Sequence, residues 1–473
     1  MNKIIASLTF VCLSLVFAKT SFAQAYRIDV NLGNSERPDL YLGYYLNGKT
    51  YVQDSAESLG NGIYSFQGTE SLKKGMYFLA NGSTLLIDLL VGEDQAFELK
   101  ALNEDFTEVE VVGDEENELF FENMKFNLER KKEGAPFVQV MRDSTASVAE
   151  KEAAQEKVNA INQRVAEHQE RIITEFPSSM LATLFKSGKQ IVIPNELANA
   201  TDQGAQLRKL YYYRNHYWDF FDLGDPILMR LPRSFYKEKV DDFLDNLTIP
   251  NQDSIKLAVD QLIEQASKEE ETYQYLVWHL TTKYQSSKIM GMDEVYVHLV
   301  DKYFETGEMD FWANEQLKKN LREKAEQYRN SLIGMVAPNL VLQDPSSQPK
   351  ALHDVVNDYC VIYFYDPDCG HCKKETPVLK EFSESSPFDV GVYSVSADTS
   401  MTKMTDYIEK MGLESWTNTN GTRTYGINYQ EVYDAYTTPT IYLLNEKKEI
   451  IAKKIAASQL AEVIENYERF VKQ

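Results

Sequence analysis

The chain has 473 residues, with 49 Lys and Arg against 72 Asp and Glu and a formal net charge of −23. That balance weighs against nucleic acid and anionic membrane surfaces as partners. Four cysteines are too few for a disulfide-stapled scaffold, a chain this long can build large cores without staples, and its length suggests about three domains.

The first 25 residues read MNKIIASLTFVCLSLVFAKTSFAQA. Lys3 supplies a positive n-region, Ile4 to Ala18 a mostly apolar h-region, and Ser21-Phe22-Ala23 a small-residue cleavage site. This predicts a secretory signal peptide over 1–23, because the apolar run is too short to span a membrane. Cys12 lies inside it, without the small residues that lipidation would need, and leaves with it. No later segment approaches eighteen apolar residues, so an exported protein with no stable membrane insertion is expected.

From 24 to 112 the pattern is that of short strands. Asn47-Gly48, Asn61-Gly62 and Asn81-Gly82 punctuate aromatic-rich runs, which predicts hairpins in a β-sandwich-like domain. Residues 113–333 turn helical. Val158, Ile161, Val165 and Ile172 fall at three- and four-residue spacing, an apolar stripe that packs a helix on its own domain or zips a coiled coil. The aromatic run Tyr211 to Asp222 reads as helical core, or as a groove for polypeptides. His168, His216, His279 and His298 are scattered without ligand spacing, and no metal is expected.

The Pro- and Ser-containing stretch Gly334 to Lys350 leads into the last domain, 334–473. "YCVIYFY" is a continuous apolar run, the mark of a central strand covered on both faces. A helix from Cys369, strand "VGVYSVSA", helix "TSMTKMTDYIEKMG", hairpin "TIYLLNEKKEIIAKK" and a closing helix follow. The fold class is therefore multidomain α+β, with a β-sandwich-like, an all-α and an α/β domain.

Chemistry concentrates in "YDPDCGHCKKETP", Tyr365 to Pro377. A zinc site would need a second ligand pair, and none exists. A disulfide between Cys369 and Cys372 closes too short a loop to act as a staple, which favours a reversible redox switch. At a helix start, free N–H groups and the helix dipole favour a thiolate on Cys369. Protonated His371 and the Lys373-Lys374 pair act in the same direction, and Asp368 acts against them. Cys372, one turn further in, is the expected resolving thiol. Pro377 bends the helix, and Pro439, after Thr438, suits a cis bond where a strand begins.

With these residues the last third resembles a thioredoxin-fold domain, most closely the exported TlpA/ResA-like thiol–disulfide oxidoreductases. "APNL", CxxC, a glutamate three residues on, a helix proline and a distant cis-proline fall on Cys369, Cys372, Glu375, Pro377 and Pro439. The resemblance implies a Thr438-Pro439 loop that pairs with an extended client, and a Glu375 that tunes the cysteines and relays protons. Cys372 and Glu375 share a helix face at that spacing. Two positions depart from the pattern: Asp368 stands where the family has Trp, and Tyr363 where cytosolic thioredoxins carry a buried acid. Gly370-His371 matches protein disulfide isomerases, whose potentials lie near about −180 mV against about −270 mV for thioredoxin.

The layout is similar to that of multidomain envelope proteins of Gram-negative bacteria. The expectation is a periplasmic oxidoreductase without cofactor, acting as a reductase on client proteins with thiols or disulfides and recharged by a membrane-embedded electron donor. Cys369, Cys372 and Glu375 would be catalytic, Thr438 and Pro439 would bind substrate, and His371 and Lys373 would tune the thiols. Two other readings stay open: a client-binding or chaperone-like envelope protein with an incidental dithiol, and a thiol peroxidase.

Overall fold

The structure, a computed structural model, describes residues 25–35 and 37–471. The expected signal peptide and Cys12 lie outside the described residues. The chain divides into two compact units, one ending at Lys239 and the other beginning at Val240.

The described strands of the first unit are β1 (Tyr26–Asn31), β2 (Asp39–Leu46), β3 (Lys49–Glu57), β4 (Ile63–Gly68), β5 (Gly75–Asn81), β6 (Thr84–Val91), β7 (Ala96–Ala101) and β8 (Val109–Val112). They make two four-stranded sheets, β4-β1-β7-β8 and β3-β2-β5-β6. Alternate residues, Ile28, Val30 and Phe66 from one sheet and Leu40, Leu42 and Leu79 from the other, fill one core, the arrangement of a β-sandwich. Asn47 and Gly48, both at positive φ, close the β2–β3 hairpin as expected. Asn61-Gly62 does not close a hairpin. It carries the chain from β3 in one sheet to β4 in the other, because the same left-handed pair serves any tight reversal, whichever partner the next strand finds.

Helices α1 (Glu115–Arg142), α2 (Val148–Glu175), α3 (Met180–Ser187), α4 (Asn195–Ala198) and α5 (Ala205–Asn215) follow. α1 packs Leu119, Phe120 and Phe121 into the sandwich core. α2 opens on a capping box between Ser147 and Glu150. Of its expected stripe Ile161 and Ile172 are buried, while Val158 and Val165 are half-buried. The aromatic run extends past the end of α5. Tyr217 and Phe221 are buried there and Tyr211 is exposed.

The unit boundary falls within α6 (Phe235–Asn246). In the second unit come α7 (Gln252–Ala266), α8 (Glu270–Gln285), α9 (Asp293–Leu299) and α10 (Glu315–Arg329). α7 buries Ile255, Ala258, Val259, Leu262 and Ile263, a helical stripe. His279 and His298 pair with Asp241 (2.8 Å) and Asp260 (3.0 Å).

The rest of this unit is β9 (Val341–Gln343), β10 (Pro349–Ala351), β11 (Tyr359–Tyr365), α11 (Cys372–Ser385), β12 (Val390–Ser396), α12 (Met401–Met411), β13 (Thr417–Thr424), α13 (Tyr429–Tyr433), β14 (Thr440–Leu444), β15 (Ile450–Lys453) and α14 (Leu460–Val471). The described strands form one sheet in the order β10-β9-β13-β12-β11-β14-β15. β11 is buried along its whole length. Tyr359, Val361, Tyr363 and Tyr365 point into the core under α11, α12 and α14. Cys360, Ile362 and Phe364 point into the core on the opposite face, with Tyr429, Val432 and Tyr433. This is the period-two consequence of a strand covered on both sides.

The sequence pattern missed β13. Its residues TNTNGTRT have no apolar side chain, yet Asn418, Thr419 and Asn420 are buried. Each is satisfied: Asn418 accepts from Ser394 Oγ and donates to the Leu413 carbonyl, Thr419 donates to the Ser394 carbonyl, and Asn420 donates to the Asp398 carbonyl. Fully bonded polar groups can occupy a central strand without hydrophobicity to announce it.

Cys372, Thr376 and Leu379 form the buried face of α11. Leu379→Ala is expected to destabilise the protein by about 2–5 kcal/mol, whereas Val378→Ala on the exposed face should cost less than about 0.5 kcal/mol. Denaturant unfolding of the full chain, followed with probes in this unit, checks the contrast.

Candidate active site

β11 ends at Tyr365, and the chain turns at once. Asp366 accepts from the Asp368 N–H through its side chain (2.7 Å) and from the Cys369 N–H through its carbonyl (3.1 Å). This turn uses up the residues in which the helix was expected to start. α11 begins at Cys372, and Cys369 sits on the turn ahead of it, its carbonyl accepting from the Lys373 N–H (3.2 Å). Cys369 is partly exposed and Cys372 is fully buried. Both are free thiols.

The Cys372 N–H donates to Cys369 Sγ (3.3 Å). Across the site the Cys369 thiol donates to the Thr438 carbonyl (3.4 Å). That carbonyl is delivered by the sheet: β14 pairs antiparallel with β11, with Thr440 opposite Phe364, so the segment before β14 lies beside the segment after β11. The Thr438–Pro439 bond is cis.

The two thiols are driven apart. Burial alone would raise Cys369, but hydrogen bonding with the Cys372 thiol, the Cys372 and His371 N–H groups and the Thr438 side chain bring it below its ordinary value. Burial pushes Cys372 up to about 12, and its contact with Cys369 adds to the rise. One thiol is thus the readier nucleophile and the other is held protonated.

The remaining sequence-predicted residues lie around this pair. His371 acts through its backbone N–H, and its ring is exposed. Lys373 directs its ammonium to the Asp368 carbonyl (3.4 Å). The half-buried Glu375 accepts through its carboxylate from the Ala457 N–H at the short 3-10 turn before α14. Among the described residues neither Glu375 nor Lys373 is hydrogen-bonded to a cysteine sulfur.

Sequence reasoning missed two features. Lys403 of α12 bonds Asp368 (2.6 Å) and Asp398 (3.1 Å), so the carboxylate next to Cys369 is neutralised by a partner 35 residues away. Beneath the site the Tyr363 hydroxyl donates to the Cys372 carbonyl (3.3 Å) and bonds the Thr376 hydroxyl (2.8 Å), which bonds the Tyr407 hydroxyl (2.7 Å). Burial raises Tyr363 and Tyr407 above the ordinary phenol value, so both stay neutral. Only Tyr363 was conspicuous in the sequence, as a substitute for an acid.

Residues 333–453 match the AhpC/TSA family model. The C-terminal part of the chain is an α/β thioredoxin-like domain. Residues 146–327, ahead of this thioredoxin-like domain, match a model described as a domain of unknown function (DUF5106). No curated protein matches the chain.

Among solved structures the chain is similar to a "domain of possible thiol-disulfide isomerase" from Cytophaga hutchinsonii, at 30% identity over 30% of this chain and 96% of that one, with a TM-score of 0.28. It is similar to a thioredoxin-like protein from Bacteroides caccae, at 17% identity over 59% of this chain and 98% of that one, with a TM-score of 0.46. A third is the thioredoxin domain of a thiol-disulfide oxidoreductase from Bacteroides vulgatus, at 24% identity over 28% of this chain and 96% of that one, with a TM-score of 0.25.

The opposed thiols of the thioredoxin-like domain give a titration test. Lowering a thiol's pKa makes its thiolate available at lower pH, so alkylation of Cys369 should rise through a midpoint below that of a free cysteine. Cys372 should stay unmodified throughout that range. Peptide mapping of the reduced protein after brief iodoacetamide treatment at each pH checks this, and a shared midpoint would contradict it.

Proposed function

We propose that the protein is an exported, periplasmic thiol–disulfide oxidoreductase of the TlpA/ResA-like type, working as a reductase through its Cys-Gly-His-Cys dithiol. The observation that carries this reading is the division between the two thiols: Cys369 partly exposed with its pKa lowered, and Cys372 buried with its pKa raised.

In the proposed cycle, the Cys369 thiolate attacks one sulfur of a client disulfide. The S–S bond breaks, a mixed disulfide forms and one client sulfur leaves as thiolate. Cys372 then loses its proton and attacks Cys369 Sγ, which forms the Cys369–Cys372 disulfide and releases the second client thiolate. Two electrons pass to the client, and the two protons given up by the cysteines end on its thiols. Glu375, one turn along α11 from Cys372, is the proposed proton carrier. Thr438 and Pro439 would hold the client backbone beside Cys369. His371 and Lys373 would favour the thiolate. A membrane-embedded dithiol donor is the proposed source of electrons for the next turnover.

The AhpC/TSA match also fits the thiol peroxidase reading. Rapid consumption of hydrogen peroxide by the reduced protein, faster than its exchange with a protein disulfide, would favour it. A client-binding role would instead survive replacement of both cysteines by serine.

Removal of the resolving thiol tests the main reading. Cys372→Ala is expected to accumulate mixed disulfides between Cys369 and exported proteins, seen as bands on a non-reducing gel that a reductant dissolves. The double variant Cys369→Ala, Cys372→Ala should show none, and equal patterns in the two variants would contradict the proposal.

A further inference from the structure

The segment that brings Thr438 to Cys369 runs from the end of α13 to β14, and its starting end is gripped from outside the thioredoxin-like domain. Lys324 and Gln327 lie on α10, within residues 146–327 matched as the domain of unknown function. The Lys324 ammonium bonds the Asp434 carboxylate (2.7 Å), whose other oxygen takes Lys454. Asp434 follows α13 with φ +46°, in a left-handed region that residues other than glycine seldom adopt. Its side chain is 10% exposed against 26% for that of Lys324, so the pair is largely shielded from water. Burial by itself would raise the Asp434 carboxyl, and its two ammonium partners bring it below the ordinary value.

Gln327 adds two bonds. Its side-chain amide donates to the Gln430 carbonyl (3.2 Å) on α13 and to the Tyr436 hydroxyl (2.8 Å). Lys324 also donates to Gln327 Oε1 (2.8 Å), which ties the two grips together. Tyr436 is 58% exposed and stands two residues before Thr438. At the far end the Thr440 hydroxyl donates to the Thr437 carbonyl (2.7 Å), and the Thr438 carbonyl meets Cys369. Residues 434–440 are therefore clamped at one end by α10 and Lys454, and at the other by the sheet and the thiol.

We propose that Lys324 and Gln327 are positioning residues of the dithiol site: they fix the loop that a client backbone meets, so that client preference is set partly by the helical region. This rests on the thiol–disulfide exchange reading and deepens it. The N–H groups that favour the Cys369 thiolate belong to His371 and Cys372, on the segment of Cys369 itself, and the clamped loop adds only the contribution of Thr438. Loosening the loop should therefore change which disulfides react more than it changes the thiol.

The test compares the full chain with its Lys324→Met, Gln327→Met variant, in which Lys454 still pairs Asp434 and limits the damage to folding. Two disulfides serve as probes: insulin, whose backbone must lie along the loop, and glutathione disulfide, which is too small to need it. The variant should reduce insulin at least about tenfold more slowly, while its rate with glutathione disulfide changes less than about twofold. Hydrogen exchange at 434–438 should quicken, and Lys324→Arg with Gln327 intact should restore the insulin rate. An unchanged insulin rate, or equal losses on both probes, overturns the proposal. A wild-type protein that reduces neither probe overturns the exchange reading, and this proposal with it.

Discussion

Antiparallel pairing of β14 with β11, Thr440 opposite Phe364, brings the segment before one strand beside the segment after the other. The Thr438 carbonyl reaches Cys369 Sγ because of that register, and Cys369 is free to meet it because the Asp366 turn delays α11 until Cys372. A register slip of one residue would turn alternate side chains to the wrong face, and β11 has no face that tolerates it. Tyr363 supports α11 from one side of the sheet, while Ile362 and Phe364 pack on the other.

The chemistry follows from depth. Cys369 and Cys372 are three residues apart, yet one is partly exposed and bonded by N–H donors while the other is sealed on the buried face of α11. Desolvation disfavours the charged form of a thiol, and hydrogen bonds to the sulfur favour it. The same short motif thus holds a ready nucleophile and a reserve thiol. The stabilisers of Cys369 are mainly dipolar, since Lys373 and Lys403 direct their charges to Asp368 and its neighbours. Full positive charges beside the sulfur would have favoured the reduced form much more strongly, and so a more oxidising couple.

The central strand was legible because "YCVIYFY" is apolar on both faces, and the dithiol because no other cysteine pair competes with it. β13 was not legible, since Asn418, Thr419 and Asn420 are buried on the strength of hydrogen bonds that only the tertiary structure supplies. α11 starts three residues later than the sequence suggests, at Cys372 instead of Cys369, because the Asp366 turn has no strong signal beyond Pro367. Lys403, Tyr407 and Lys324 carry no local pattern at all. Each meets its partner across dozens of residues, so the sequence shows the reactive atoms better than the groups that hold them.

The reduction potential of the Cys369–Cys372 couple, measured in the full chain by equilibration with glutathione or a dithiol buffer, tests the central claim most directly. The expected result is a reversible two-electron couple more negative than about −180 mV, on the thioredoxin side of the isomerase value. A potential near about −120 mV, or no reversible couple between these two thiols, would contradict it.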